Sequence, residues 1–397
     1  MEKILICDST LRDGEQSPDA GMTFDQKITL GNALMDMGVD ILEAGFAQTS
    51  PLDADVIYRL SQMAEHKRTI ISSLARCCKA DIDLAAQVLA PAIACHKGRL
   101  HLFIATSQKH IENKLKKTRS DVLKMIKESV EYARTFTPDV QWSAEDATRS
   151  DIDFLIQCTQ TAIDAGATTI NFADTVGQMV DTQMQKLYET VLPRLKYDSN
   201  VVFSAHCHND KGLATANSLF AVKGGARQIE CCMNGLGERA GNAALEEVVM
   251  AIKTTPEIYP YEMQINPKKI MAVSKMVSEF SGFMVAPNKA IIGKNAFLHA
   301  AGVHQEGVLN AQQKDIKGMY SAVDPEILGR QNEIMITRHS GSKAVMYVLE
   351  KQGIKMTPQI AKMILKRIKQ WVDHPKHFSV EELMMLSQKC AAENKNS

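Results

Sequence analysis

Up to about residue 255 the chain repeats one unit: a short apolar, β-rich run followed by a longer stretch with helical period. The runs expected to be strands are 3–8, 40–46, 69–75, 99–106, 139–145, 168–174, 201–207 and 226–233. Eight strand-helix units in about 250 residues match an α/β fold of the (β/α)8 TIM-barrel type better than an open doubly wound sheet. An open sheet would want a glycine-rich phosphate turn after a strand, and the first turn here reads Arg12-Asp13-Gly14-Glu15. Helix borders are marked along the way. Thr23 with Gln26 forms a capping box and Gly38 ends that helix; Ser120 and Asp121 open another; Gly166 closes the one beginning near Asp151.

The repeat then stops. Residues 267–281 form one amphipathic helix, 282–340 read as irregular, and helices return at 341–352, 357–372 and 379–391, the last opened by a Ser379–Glu382 capping box. Two domains follow: a catalytic barrel over 1–280, and a linker with a mainly helical C-terminal subdomain over 281–397. An irregular stretch of that length is too long for a plain connection, which marks it as functional.

Composition excludes several classes. Lys plus Arg and Asp plus Glu both number 46, so no basic excess points to nucleic acid or an anionic membrane. No apolar run approaches the roughly 20 residues that span a bilayer. The opening residues are too short and too soon acidic for a signal peptide. Nine scattered cysteines, none as Cys-x-x-Cys, fit reduced thiols in the cytoplasm rather than a disulfide frame or structural zinc.

In a barrel of this type, chemistry sits at the carboxyl ends of the strands. Those ends read Arg12 and Asp13, Glu43, Ser73, Thr106, Glu145, Thr175, His206 and His208, then Asn234 to Asn242. His206 and His208 lie two apart at a strand end, so both imidazoles face one way. Two hydrogen-bonded histidines would read the same. However, closing the barrel brings the last strand beside the first, so Asp13, His206 and His208 converge, with Asn242 near enough to add a neutral oxygen. That mixed oxygen–nitrogen set suits Mn, Mg or Zn with open positions. Such an ion can bind a 2-oxo acid and polarise its carbonyl. Arg12 suits the oxyanion that would develop there, or it pairs structurally with Glu43 or Glu145. Glu145 can orient a base or substrate. His304 and Tyr320 are acid–base candidates outside the barrel.

Three stretches then carry a resemblance: Asp8 to Pro18 (Asp-Ser-Thr-Leu-Arg-Asp-Gly-Glu-Gln-Ser-Pro), His206-Cys207-His208-Asn209-Asp210, and Gly235 to Glu247. In that order they resemble the 2-isopropylmalate and homocitrate synthase family, over residues 4 to about 345. The resemblance implies a metal-dependent TIM barrel that condenses acetyl-CoA with a 2-oxo acid and hydrolyses the thioester. It implies metal ligands Asp13, His206, His208 and Asn242, oxyanion stabilisation by Arg12, and activation or positioning by Glu145. It further implies that His101, Ser143, Asn171 and Thr175 line the acid. His304 and Tyr320 would reach the active site of the partner subunit in a homodimer.

The homocitrate branch carries an arginine just before Ser-x-Glu-Asp. Here that place reads Val140-Gln141-Trp142, so 2-oxoisovalerate is expected over 2-oxoglutarate. Ala144 and Ala173 stand where the family has proline, and both are expected near the acid's side chain. Without room for a leucine-binding domain, no leucine feedback of that kind is expected. A different 2-oxo acid, as in homocitrate or citramalate synthases, is the alternative. A superfamily lyase would carry a Gly-Cys pair where this chain has Gly-Glu-Arg-Ala-Gly, and a non-catalytic oxo-acid sensor would lack one of the matched groups.

Overall fold

The computed structural model describes residues 2–180, 182–314, 316, 318–371 and 377–395. It divides into two compact units, Met1–Val285 and Ala286–Ser397.

The first unit is a closed barrel of eight parallel strands. They are β1 (Leu5–Asp8), β2 (Ile41–Phe46), β3 (Ile70–Arg76), β4 (Gly98–Ala105), β5 (Val140–Glu145), β6 (Thr169–Asp174), β7 (Val202–Cys207) and β8 (Gln228–Cys231). Closure is direct: Leu5 to Asp8 pair with Gln228 to Cys231. The crossovers carry helices α1 (Phe24–Met37), α2 (Pro51–Met63), α3 (Lys79–Val88), α4 (Arg119–Ala133), α5 (Ile152–Asp164), α6 (Thr182–Val191) and α7 (Ala214–Gly224). They are followed by α8 (Leu245–Thr254) and α9 (Ile270–Ser281). The Thr23–Gln26 capping box is present, and Gly38 ends α1 at φ 101°. The opening of α4 differs from expectation. Thr118, not Ser120, is the cap, because its hydroxyl accepts from Asp121 N while Asp121 returns the bond to the Thr118 N–H.

Outward-facing strand residues such as Leu42, Leu102, Trp142, Ile170 and Ala205 are fully buried under the helices. Each large apolar side chain there contributes about 2 kcal/mol. The inward face is different. Arg99 Nη1 donates to Gln141 Oε1 (3.1 Å) and Gln228 Oε1 (2.8 Å), and its Nε donates to Asp139 at 2.8 Å. Gln228 Nε2 donates to Gln141 Oε1 and to Ser204 Oγ, both at 3.0 Å. The floor of the barrel is thus a hydrogen-bonded polar layer, with its guanidinium paired rather than stranded.

In the second unit the stretch expected to be irregular contains a helix, α10 (Gly302–Gln313). Gly302 and Gly307 lower its propensity in sequence, but a Cβ on either would collide with His339 O at 2.5 Å or the Tyr320 ring at 2.2 Å. Helices α11 (Ser342–Glu350), α12 (Pro358–Gln370) and α13 (Val380–Lys395) follow. They bury Val345, Leu349, Ile364, Ile368 and Leu383 in one cluster. The Ser379–Glu382 capping box forms. Residue 372, expected in α12, lies outside the described residues. Among the described residues no helix is long and apolar enough to cross a membrane, and all nine cysteines are free thiols.

Candidate active site

At the carboxyl mouth of the barrel a cavity of about 210 Å³ opens. Nine of the twelve residues singled out in the sequence line it: Arg12, Asp13, His101, Ser143, Glu145, Asn171, Thr175, His206 and His208. Strand parity does most of this, because 143 and 145, 171, 173 and 175, and 206 and 208 each fall on the inward side of one strand.

Asp13, His206 and His208 come together, all buried, with their ligand atoms within 4.8 Å of one another. The two Nε2 atoms are 3.0 Å apart. Asp13 Oδ2 lies 3.5 Å from the first and 3.8 Å from the second. Two imidazole nitrogens at that distance cannot both carry protons; they must share a proton or present two lone pairs to one cation. Asn242 is buried behind them, where His208 and Asn242 form a β-bridge. Its amide nitrogen donates to Leu236 O (3.2 Å) and Cys232 Sγ (3.3 Å), leaving Oδ1 buried without a partner. Gly241, at φ 92°, permits this return, since a Cβ there would meet Gly235 O at 2.0 Å. The donor set, one carboxylate, two imidazoles and one orphaned amide oxygen, fits a divalent ion.

Electrostatics follow from the burial. Burial would raise the Asp13 carboxyl, but the Arg12 guanidinium and both imidazoles hold it well below the usual carboxylate range. Burial and then the neighbouring His206 push His208 down to about 4, which keeps its lone pair free. Burial also opposes charge on His206, yet Glu230 and Asp13 raise it overall. Glu230 Oε2 stands 3.1 Å from His206 Nδ1.

Of the roles weighed for Arg12, the structure shows the pairing with Glu43. Its Nε donates to Glu43 Oε2 and its Nη1 to Asp13 Oδ2, each at 2.7 Å. Glu145 is not its partner; that carboxylate takes Lys114 Nζ at 2.6 Å. Glu43 is fully buried and also accepts from Ser9 Oγ and His101 Nδ1, both at 2.5 Å. From His101 a chain continues through Nε2 to Ser143 Oγ (2.6 Å), which accepts from Asn171 Nδ2 at 2.9 Å. Thr175 Oγ1 accepts the Asp146 N–H at 2.9 Å.

Of the other lining residues four are apolar, Phe46, Leu74, Phe103 and Ala173, and four are polar, Gln16, Lys114, Glu230 and Glu238. The two alanines therefore separate. Ala173 lines the cavity, whereas Ala144 faces outward and is fully buried on the helix side, because strand alternation turns 144 away from 143 and 145. Gln141 faces inward, and its Nε2 donates to Glu230 and to His101.

His304 and Tyr320 lie in the second unit. Their rings stack at 4.4 Å and 23°, and both are exposed.

Sequence reasoning missed Glu230, Lys114 and His110, and gave Glu43 no function of its own. Glu230 had a signal: Gln228-Ile229-Glu230 alternates polar and apolar within a strand, which places two polar side chains inside the barrel. Lys114 and His110 had none, since they sit in the two short helical turns after β4, Gln108–His110 and Ile111–Leu115.

A closed parallel barrel with a buried Asp–His–His cluster and a buried guanidinium at its carboxyl mouth is a TIM barrel with a candidate divalent-metal site where barrel enzymes do their chemistry. The HMGL-like family model matches residues 3–277, and the homocitrate synthase post-HMGL domain-like model matches 291–376. The 2-isopropylmalate synthase of Aquifex aeolicus is 44% identical over 387 residues, covering 97% of this chain and 72% of that protein. That of Dechloromonas aromatica is 43% identical, covering 97% and 74%. Among solved structures, the HMG-CoA lyase from Brucella melitensis has a TM-score of 0.59 at 18% identity, covering 71% of this chain and 100% of that one. The chain belongs to the 2-isopropylmalate synthase family, on an HMGL-like barrel.

Proposed function

We infer that this chain condenses acetyl-CoA with 2-oxoisovalerate to give 2-isopropylmalate, the entry reaction of leucine biosynthesis. The observation that carries the reading is identity above 40% across 97% of the chain with enzymes of that name. The cavity agrees: Phe46, Leu74, Phe103 and Ala173 give it an apolar patch for an aliphatic side chain, and the nearby cations Arg12, Arg99 and Lys114 are all engaged by acidic or amide partners. A second substrate carboxylate would lie unpaired there, which is costly.

In the reaction the acetyl methyl carbon loses a proton and bonds to the keto carbon. The keto oxygen takes up a proton, and water then cleaves the C–S bond to release the CoA thiol. Asp13, His206, His208 and Asn242 would hold a divalent ion, Mn, Mg or Zn, that acts as a Lewis acid on the oxo acid. Arg12 places fixed positive charge where the keto oxygen becomes anionic, and Glu43 holds the guanidinium in place. His101, Ser143 and Asn171 form one wall of hydrogen-bonding groups along the acid. Thr175, whose oxygen is occupied by the Asp146 N–H, has its hydroxyl proton free for the substrate carboxylate. Glu145 activates or positions the acetyl group. His304 and Tyr320 supply acid–base groups across a homodimer, each to the partner's barrel. The nine free thiols suit a cytoplasmic setting.

The test is thiol release from acetyl-CoA by the purified protein with Mn or Mg. It is run across 2-oxoisovalerate, 2-oxobutyrate, pyruvate and 2-oxoglutarate, with His206→Ala as control. Metal-dependent release, fastest with 2-oxoisovalerate and abolished in the control, is expected. Release with none of the acids overturns the reading, and preference for another acid moves the substrate while keeping the chemistry.

A further inference from the structure

Glu145 is held by a chain of side chains that the reaction as described does not use. His110 ends the one-turn helix Gln108–His110 after β4, is about a quarter exposed, and does not line the cavity. Its Nδ1 is 3.2 Å from Glu145 Oε1, and its Nε2 is 3.2 Å from Arg149 Nη2. A guanidinium only donates. Nε2 must therefore accept, and the ring proton sits on Nδ1, aimed at Glu145. Asp146 Oδ2 is a more distant second acceptor at 3.7 Å. Arg149 is fixed in turn by a bidentate pair with Asp146, Nε to Oδ1 at 2.7 Å and Nη2 to Oδ2 at 2.8 Å.

Asp146 is fully buried and holds φ 61°, ψ 34°, a left-handed conformation that a non-glycine residue keeps only when its surroundings impose it. They do: Ser107 Oγ donates to its Oδ2 at 2.5 Å, and its N–H is the donor to Thr175 Oγ1. One strained residue thus orients two cavity groups, Thr175 directly and Glu145 through Arg149 and His110. Lys114 and His110 both fall on Glu145 Oε1; among the described residues no donor reaches Oε2.

We propose that His110, locked as its Nδ1–H tautomer by the Asp146–Arg149 pair, is a positioning residue that occupies Glu145 Oε1 and so leaves Oε2 as the oxygen that meets the acetyl group. This rests on the condensation reading for the part played by Glu145.

Two near-isosteric variants separate its halves. His110→Gln keeps an acceptor toward Arg149 and loses the donor toward Glu145. His110→Asn places an amide N–H where Nδ1 stood and loses the acceptor. His110→Gln is expected to lower kcat about 10- to 100-fold, the usual cost of an outer-shell orienting bond, with KM for the oxo acid unchanged. His110→Asn is expected to rescue turnover to within about threefold of wild type. In nitrogen-15 spectra of the wild-type protein the His110 ring should show the Nδ1–H pattern. Equal turnover in both variants, high or low, or a loss confined to His110→Asn, overturns the proposal. An Nε2–H ring does so as well. Absence of thiol release in the wild type itself would instead sink the condensation reading, and the ring spectrum would still decide the geometry.

Discussion

Replacing Glu43 by glutamine changes one atom of a fully buried group, and its consequence can be worked from the contacts. Three donors converge on the carboxylate: Arg12 Nε at 2.7 Å and Ser9 Oγ at 2.5 Å on Oε2, and His101 Nδ1 at 2.5 Å on Oε1. Arg12 and His101 hold its pKa well below the usual range, against a burial that would raise it. Glutamine can keep its oxygen toward Arg12 and Ser9 only by turning its amide N–H onto His101 Nδ1. The imidazole can answer by moving its proton to Nε2, but Nε2 is 3.0 Å from the donor Gln141 Nε2. The donor–donor conflict moves rather than disappears. Breaking a buried ion pair costs about 3–5 kcal/mol, and Arg12 retains Asp13, so the lower end applies. One buried unsatisfied donor adds about 1 kcal/mol. A total of about 4 kcal/mol corresponds to a melting point lowered by about 10 °C in a domain of this size. Loosening Arg12 should also cut kcat by about 100-fold. Thermal unfolding by calorimetry and thiol release on the same preparation measure both. A melting point within about 2 °C of wild type, together with unchanged turnover, would refute the reasoning that this carboxylate organises the site.

Two further substitutions probe other parts of the chain. Burial raises the Asp8 carboxyl to about 7 from 3.8, despite hydrogen bonds from Thr10. The folded state therefore binds that proton more tightly than the unfolded chain. Its stabilising contribution is full below about pH 4 and is lost as pH rises through 7, amounting to a few kcal/mol. The stability difference between wild type and Asp8→Asn, from urea unfolding at several pH values, should change across that window; a pH-independent difference would contradict the assignment. Gly307→Ala puts a Cβ 2.2 Å from the Tyr320 ring, which must then leave its stack on His304. Turnover should fall at least about tenfold while metal affinity, measured by calorimetry, stays at the wild-type value. Full activity in this variant would remove the stacked pair from the proposed machinery.

The barrel was legible because its signal is periodic and local. All eight strand runs fall within a residue or two of the observed strands, and parity then put His206 and His208 on one face, whereas Ser143 and Asn171 came only from the resemblance. The convergence of Asp13, His206 and His208 was legible because barrel closure is a topological rule that brings the last strands against the first. What escaped the sequence depends on non-local contact. The helix α10 is disguised by two glycines whose reason is a neighbouring carbonyl and a neighbouring ring. His110 and Lys114 gain their meaning only from where Glu145 ends up. Ala144 and Ala173 look equivalent as departures from a pattern, yet one lines the cavity and the other packs under a helix. Glu230 was hidden by treating its strand as uniformly apolar.

The polar floor of the barrel has a consequence for how this sequence can drift. Arg99, Gln141, Gln228 and Ser204 come from four strands, and each satisfies hydrogen-bonding groups of the others. An apolar replacement at Gln228 alone removes one of the guanidinium's acceptors and leaves Ser204 without its donor; an apolar replacement at Arg99 alone leaves Asp139 and two amide oxygens with one donor fewer. Each single step crosses a destabilised intermediate, and a joint exchange must also answer for the groups the set serves outside itself, Asp139, His101 and Glu230. The energies of these positions are therefore strongly non-additive. In descendants of this barrel they should be found changed as a block or unchanged, unlike the apolar positions under the helices, where one methylene can be traded at a time.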